Sequence, residues 1–168
     1  MPDQWYAVAV MPKAILFAAA AMLTLPGPAF ALCSYRGELY AQTTLDQEYD
    51  DAPFVVRARV LSASDWQRAE ERGTVYQLEV VQYFKGSLPQ TFLFSTERNS
   101  GGFYLDRGTK PDIGGEYLLF LTHGSRTTST PAQGARAFAI NYSCGQSRRW
   151  DEISRQDRTR LADLSGRS

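Results

Sequence analysis

The sequence contains few of the residues that build metal and redox centres: two cysteines, one histidine and three methionines in 168 residues. It has no CxxC or HExxH motif, and one histidine cannot supply a common zinc ligand set, so we expect no metal and no cofactor. Lysine plus arginine number 18, as do aspartate plus glutamate, so the formal net charge is zero. This balance argues against a generic binder of polyanions.

Long apolar runs are also scarce. The one candidate, Ala14 to Leu25, follows Lys13 and precedes the small-x-small triplet Ala29-Phe30-Ala31. A basic residue, about a dozen apolar residues and an A-x-A end are typical of a secretory signal peptide. The run is shorter than the roughly 20 residues that a membrane span needs. We predict a signal peptide over residues 1–31, cleavage after Ala31, and a secreted or periplasmic protein with no transmembrane segment after signal removal.

The remaining residues, 32–168, have the length of one domain and enough apolar side chains to build a core. In the first of five segments with strand character, Val56, Ala58 and Val60 alternate with Arg57 and Arg59. The five segments are Phe54–Ala63, Thr74–Gly86, Thr91–Thr96, Glu116–His123 and Ala137–Ser143.

The second of these segments predicts one apolar face, made of Tyr76, Leu78, Val80 and Phe84. The connections between strands are polar. Residues 63–73 favour a turn or short helix closed by a glycine, residues 97–115 a long loop or weak hairpin, and residues 124–136 a second loop.

Helical patterns lie at both ends of the strand region. Residues 43–53 predict a short helix capped by Thr43 or Thr44 and stopped by Pro53. Residues 147–166 predict an amphipathic helix with an apolar face of Trp150, Ile153, Leu161 and Leu164. We therefore predict a mainly β fold: a small five-stranded antiparallel barrel, closed or nearly closed, with a helix at each end. A jelly roll or sandwich is the main alternative.

The two cysteines suggest one disulfide, Cys33–Cys144, because the chain carries an export signal. Two separate thiols are the alternative. A lipid anchor on Cys33 fits less well, since Leu32 precedes the cysteine and Phe30 stands three places before it, which is not the expected local motif.

The only histidine, His123, could form a hydrolase-like constellation with Ser125 and Asp112. No nucleophile-elbow motif accompanies it, so we expect a loop histidine and no enzymatic activity. Asp106, Asp112 and Glu116 could bind calcium, but the EF-hand spacing is absent and turn chemistry explains them better.

Several motifs, taken in order, resemble a known family. They are "CSY" just after the signal, "FVVRARV", "VVQYFKGS", "SGGFYLDRGTKPDIGGEYLLFL" and "NYSCG". Their order and spacing resemble the netrin-like (NTR) module of the tissue inhibitors of metalloproteinases and their bacterial relatives, over roughly Cys33 to Cys144. The resemblance implies an OB-type five-stranded barrel with terminal helices, held by disulfides from the N-terminal segment.

The family pattern begins with two cysteines one residue apart. The first pairs with a mid-chain cysteine, where this chain has Ser100 or Gly101; the second pairs with a cysteine after a late strand, which Cys144 matches. If Cys33 is the second cysteine, the first falls at Ala31 and the two missing cysteines are each other's partners. If Cys33 is instead the first cysteine of the family pattern, it must have exchanged its mid-chain partner for Cys144. The former alignment is simpler.

The family inhibits through its first residue, whose amine and carbonyl chelate the protease zinc. Cleavage after Ala31 leaves Leu32 in front, so that chelation is doubtful here. The resemblance still implies a non-enzymatic protein-binding or protease-inhibitor-like module whose partner is a protein. The implied interaction rim comprises Ser34, Tyr35, Arg36, Asn99, Ser100, Gly101, Gly102 and Phe103. The alternatives are a structural envelope-associated domain without a dedicated ligand and a hydrolase using His123.

Barrels of this type often bind single-stranded nucleic acid through aromatic side chains and basic grooves. Core packing explains the strand aromatics better in an exported, neutral chain, and local ion pairs explain the C-terminal arginines better. We therefore expect no nucleic-acid partner. The aromatics are Tyr76, Tyr83, Phe84, Phe92 and Phe94; the arginines are Arg148, Arg149, Arg155, Arg158 and Arg160.

Intact mass of the exported protein tests the signal and the disulfide together. We expect a chain that begins at Leu32 and carries no lipid, because the A-x-A site precedes Leu32. Alkylation should label both cysteines only after reduction. A chain that begins at Cys33 with a free thiol would contradict the alignment.

Overall fold

The computed structural model describes residues 34–36, 38–39, 42–98, 102–127, 136–142 and 144–167. The chain divides into two units, Met1–Ala31 and Leu32–Ser168, and every described residue belongs to the second. The predicted signal peptide therefore lies outside the described residues and stays a prediction. Within the described part of the chain, no helix is long and apolar enough to cross a membrane.

The fold is mainly β, with one helix before the main sheet and one after it, as predicted. The strands are β1 (Ser34–Tyr35), β2 (Glu38–Leu39), β3 (Phe54–Arg68), β4 (Glu71–Lys85), β5 (Thr91–Glu97), β6 (Asp106–Arg107), β7 (Lys110–Pro111), β8 (Glu116–Thr127), β9 (Arg136–Ile140) and β10 (Arg148–Arg149). The helices are α1 (Leu45–Asp51) and α2 (Arg155–Ser165), and a 3₁₀ turn spans Trp150–Glu152.

The long strands form one six-stranded sheet in the order β10-β8-β3-β4-β5-β9, with a further pairing between β8 and β9. This arrangement differs from the two packed sheets of a sandwich. β5 and β9 are parallel, and Phe94 opposite Phe138 is their one bridging pair; the other pairings are antiparallel. Consequently β3, β4, β5, β9 and β8, in that cyclic order, each pair with the two adjacent members of this set, and β8 pairs with β10 as well.

From Tyr117 to Leu121, β8 is buried on both faces and has strand partners on both edges. One edge pairs with β3, and the other is shared by β9, which pairs from Leu121 onward, and β10, which pairs at Tyr117 and Leu118. Between these two partners, the Phe120 amide donates to the Ser147 hydroxyl at 2.9 Å. The prediction of a buried strand here is confirmed.

Two hydrophobic cores lie on opposite faces of the sheet, because successive strand side chains alternate in direction. One core is lined by strand residues, and the other lies between the sheet and the two helices. The first contains Val56, Ala58, Val60, Tyr76, Leu78, Val80, Leu88, Phe92, Phe94, Leu105, Tyr117, Leu119 and Leu121. The second contains Leu45, Tyr49, Ala52, Val55, Phe84, Leu118, Phe120, Ile153, Leu161 and Leu164. The predicted alternation of Val56, Ala58 and Val60 with two arginines is confirmed.

The prediction that Phe84 shares a face with Val80 is wrong, because the β3–β4 ladder is irregular between them. Arg57 lies opposite Gln82 and Ala58 opposite Val80, so Val81 has no partner directly across. Such an extra residue reverses the alternation downstream. Phe84 therefore packs in the core beneath the helices.

The turn predicted within residues 63–73 is present but is confined to Ala69 and Glu70. β3 and β4 continue as one hairpin to its tip, where Arg68 pairs with Glu71. Gly73 lies opposite Trp66, and a Cβ at Gly73 would stand 2.7 Å from the indole ring atoms. The weak hairpin predicted within residues 97–115 is present as β6 and β7.

The two helices begin at side-chain caps. Thr44 caps α1, accepting from the Gln47 amide while the Gln47 side chain accepts from the Thr44 amide, as in a capping box. The predicted C-terminal helix is shorter than the apolar pattern suggested, because Arg148 and Arg149 pair with β8 as β10 instead. Ser154 then caps α2 by accepting from the Asp157 amide.

Ala69, at the tip of the β3–β4 hairpin, has a φ of 53°, which disfavours a residue with a Cβ. Ala69→Gly should raise the free energy of unfolding by about 0.5 kcal/mol, because relief of the left-handed conformation exceeds glycine's extra unfolded-state entropy. Urea unfolding measures the change.

Ala162→Gly, on the exposed face of α2, is the matched control. The same substitution there should lower the free energy of unfolding by about 1 kcal/mol, since glycine is a poor helix former. Destabilisation by both variants would show that the Ala69 conformation is not strained.

Candidate functional site

α1 presents two carboxylates on one face, because Glu48 and Asp51 are three residues apart. They lie beside the segment that follows β9 and carries Cys144. Their environments differ: Glu48 is fully buried, whereas Asp51 is partly exposed.

Asp51 accepts hydrogen bonds from the first described segment and from the segment that follows β9. Its carboxylate accepts from Tyr35 at 3.0 Å, from Arg36 at 3.1 Å and from Tyr142 at 3.1 Å. The rings of Tyr35 and Tyr142 meet edge to face, with centroids 5.5 Å apart. We call Tyr35, Arg36, Asp51 and Tyr142 the Asp51 cluster. Desolvation raises the pKa of Asp51, but the three hydrogen bonds outweigh it and hold the pKa below its ordinary value.

Glu48 anchors the turn after Cys144. Its Oε2 accepts from the Thr43 hydroxyl at 2.9 Å and from the Gln146 amide, while Oε1 is buried with no hydrogen-bond partner. Gly145 packs directly on the carboxylate, so a larger residue there would clash. Burial raises the pKa of Glu48, and the two hydrogen bonds only partly oppose that rise.

Of the two cysteines in the predicted disulfide, only Cys144 lies among the described residues. Cys144 is not a free thiol, whereas Cys33 lies outside the described residues, so the Cys33–Cys144 bond stays a prediction. The neighbouring residues meet: Tyr35, two residues after Cys33, packs on Tyr142, two residues before Cys144.

The predicted rim is only partly described. Tyr35 is buried, and Arg36 is exposed with a side-chain accessibility of 68%. Ser34 belongs to β1, while residues 99–101 lie outside the described ranges. Gly102 and Phe103 line a groove of about 210 Å³, together with Phe94, Ser95, Thr96, Glu97, Ala139 and Ile140.

The two halves of this rim are not joined by any hydrogen bond, ion pair or ring contact of the described residues. Tyr35 and Arg36 contact α1 and Tyr142, whereas the ring of Phe103 contacts Tyr117 at a centroid distance of 6.5 Å. That the two halves of the rim act as one binding surface is still a prediction.

Arg98 forms a network that the sequence pattern did not reveal. Its guanidinium donates to Asp106 at 2.8 Å and to the Thr74 hydroxyl at 2.8 Å, and it lies 5.0 Å from the ring centroid of Tyr104. Tyr76 donates to the same Asp106 carboxylate at 2.6 Å. The network ties the loop after β5 to the β3–β4 hairpin.

The three acids considered for calcium are held by different arginines. Asp106 pairs with Arg98; Asp112 accepts from Arg149 and from Tyr117; Glu116 accepts from Arg57 and Arg59. Desolvation raises the pKa of Glu116, but the hydrogen bonds from Arg59 and Arg57 outweigh it and lower the pKa. No group of three or more acids, histidines or cysteines suited to a metal occurs in the described part of the chain.

His123 lies within β8, opposite Phe138 of β9, and beside two aromatic rings. Its ring is 5.0 Å from Phe54 and 5.6 Å from Phe138, measured between centroids. Asp112, its imagined triad partner, precedes β8. The part of β8 between Glu116 and His123 already spans roughly 23 Å of extended strand. The side chain of Ser125 lies outside the described set.

Four of the five strand aromatics, Tyr76, Phe84, Phe92 and Phe94, are buried as predicted. The prediction of core packing is wrong for Tyr83, which is 40% exposed. Two C-terminal arginines pair locally as predicted, Arg148 with Asp157 and Arg149 with Asp151. Arg160 instead pairs with the distant Asp46 of α1 at 2.8 Å. Arg158 and Arg57 lie against the Trp150 ring, at 4.7 and 4.6 Å from its centroid.

No protein-family model matches the chain, and no curated protein is similar to it. The resemblance to the netrin-like module therefore rests on the ordered motifs alone and is a proposal.

The Asp51 cluster was only partly foreseeable. The sequence placed Tyr35 and Arg36 in the candidate rim, but nothing in it identified Asp51 as their acceptor. The one available signal was the spacing of Tyr35 and Tyr142 from the two cysteines, which becomes informative once a disulfide is assumed.

Glu48 should make stability depend on pH. Because its folded pKa is raised, the folded protein holds this proton more tightly than the unfolded chain. Its stabilising contribution is therefore full below the unfolded pKa and is lost as the pH rises through the folded pKa. Glu48→Gln keeps an oxygen for Thr43 and Gln146 and removes the ionisation. Relative to this variant, the wild type should lose stability in urea unfolding as the pH rises above 4.5, the ordinary pKa of a glutamate.

Glu152→Gln, in the exposed 3₁₀ turn, is the control and should follow the wild-type profile. Parallel profiles for the wild type and Glu48→Gln would show that the buried carboxyl does not titrate in this range.

Proposed function

We propose that the chain is an exported, non-enzymatic protein-binding module of the netrin-like kind, related in role to protease inhibitors. The observation that carries the proposal is the docking of Tyr35 on Tyr142 and Asp51. It fixes the start of the domain against the segment after a late strand, which is where the family resemblance implies a disulfide.

An OB-type five-stranded barrel is the architecture that we propose. Support comes from the cyclic order β3-β4-β5-β9-β8, in which each strand has two hydrogen-bonded neighbours. The parallel contact between β5 and β9 within an otherwise antiparallel set also supports it, as do the two flanking helices. One core then fills the interior, and the second lies under the helices.

The non-enzymatic part of the proposal is supported by the state of the candidate catalytic groups. The carboxylate of Asp112 is held by Tyr117 and Arg149, so it is not oriented toward an imidazole. His123 packs on Phe54 and Phe138 instead. A catalytic triad would need a third group to orient the histidine.

Inhibition through a zinc-chelating N-terminal cysteine is not part of this proposal, because cleavage after Ala31 would leave Leu32 in front of Cys33. Any contact with a protease would then use the rim itself. Arg36 is its most exposed described side chain, and its ion pair with Asp51 lies at the surface.

Arg36 provides the sharpest test of the rim. Arg36→Ala should weaken binding to a partner captured from the exported fraction by at least about tenfold, since arginine is a common interface anchor. It should leave the free energy of unfolding within about 1 kcal/mol of the wild type, because exposed ion pairs contribute little. Pull-down followed by titration of the purified partner measures both affinities.

Arg155→Ala, an exposed arginine on α2, is the matched control and should bind as the wild type does. Equal binding by wild type, Arg36→Ala and a Ser100→Asp variant would reject the rim and favour the structural, envelope-associated alternative. Hydrolysis abolished by His123→Ala would reject the non-enzymatic proposal.

A further inference from the structure

The turn that carries Cys144 is held on both sides by α1. Two residues before the cysteine, the Tyr142 hydroxyl donates to Asp51 at 3.1 Å; two residues after it, the Gln146 amide donates to Glu48. The Gly145 amide closes the turn by donating to the Tyr142 carbonyl at 3.0 Å. The backbone around Cys144 is thus positioned by contacts that involve no sulfur atom.

The segment after Cys33 reaches the same helix. Tyr35 donates to Asp51 at 3.0 Å and is 7% exposed, and Arg36 pairs with the other carboxylate oxygen at 3.1 Å. A single carboxylate therefore binds hydroxyls from both cysteine-flanking segments. The edge-to-face contact of Tyr35 and Tyr142 adds apolar area between them.

We propose that Glu48 and Asp51 form a carboxylate template that seats the segments carrying Cys33 and Cys144 against each other before the disulfide closes. This inference rests on the Cys33–Cys144 bond of the proposed function and adds how that bond is directed. The reduced domain then keeps its N-terminal segment docked, and the bond locks an arrangement that already exists.

The closing reaction is thiol–disulfide exchange with a small-molecule disulfide, such as glutathione disulfide, as the oxidant. One cysteine thiolate attacks the glutathione disulfide, forming a mixed disulfide and releasing one glutathione. The second cysteine thiolate attacks the protein-side sulfur and releases the other glutathione. Two electrons pass to the glutathione disulfide, and the two cysteine protons end on the two glutathione thiols.

The template acts on the second step, which is intramolecular. The equilibrium of this step is described by the effective concentration of one cysteine thiol in the vicinity of the other. Docking of the two segments on α1 raises that concentration. By linkage, the bond strengthens the Asp51 contacts by the same factor by which those contacts favour the bond. A change that weakens the reduced and the oxidised folds equally leaves the effective concentration unchanged.

The test equilibrates the exported protein in glutathione redox buffers and measures the oxidised fraction by alkylation and intact mass. The variant Tyr35→Phe/Tyr142→Phe keeps both rings and removes both hydroxyls from Asp51. Its effective concentration should fall by at least about tenfold, because hydrogen bonds to a charged acceptor are stronger than neutral ones. Tyr83→Phe, which removes a hydroxyl bonded to the Leu88 carbonyl at 3.0 Å, should stay within about twofold of the wild type.

The outcomes separate the two proposals. A bond that forms equally well in the wild type and in the double variant overturns the template and leaves the proposed function in place. Two free thiols in the wild type overturn the template together with the disulfide. If the double variant does not fold, Tyr142→Phe alone keeps the Tyr35 and Arg36 contacts and should show a smaller fall in the same direction; no fall overturns the template.

Discussion

The two-sided burial of β8 is the constraint on which the rest of the structure depends. Tyr117, Leu119 and Leu121 enter one core, and Leu118 and Phe120 enter the other, so no residue in this run can become polar without loss of apolar burial. Both edges of β8 are also bonded, by β3 on one side and by β9 and β10 on the other. The late segment that carries Cys144 must therefore follow β8 closely, which places it within reach of α1.

Two carboxylates on one helix show how environment decides the state of an ionisable group. Asp51 receives hydrogen bonds from an arginine and two tyrosines, and its pKa is lowered; Glu48 is fully buried with one oxygen unpartnered, and its pKa is raised. The first holds the N-terminal segment and the second holds the turn after Cys144. One turn of α1 therefore separates the Arg36–Asp51 ion pair at the surface from the buried carboxylate of Glu48.

Sequence patterns predicted the elements whose burial follows a simple period. The alternation in β3, the apolar run of β8 and the Thr44 cap of α1 are all present. The patterns failed where the period is broken: the unpaired Val81 turns Phe84 to the other face, and the hairpin tip has polar residues on both faces. The acceptors at the site could not be foreseen, because Asp51, Asp106 and Asp112 gain their roles from partners 5 to 91 residues away.

The parallel neighbours β5 and β9 meet at one bridging residue pair, unlike the long antiparallel ladders elsewhere. A ring contact supplements this pair: the centroid of the Phe138 ring in β9 lies 5.6 Å from that of Phe92 in β5. Dispersion contacts between rings tolerate small sliding better than a ladder of directional bonds does. Local opening of the sheet should therefore start between β5 and β9, beside the groove formed by Gly102 and Phe103, while β8 stays closed.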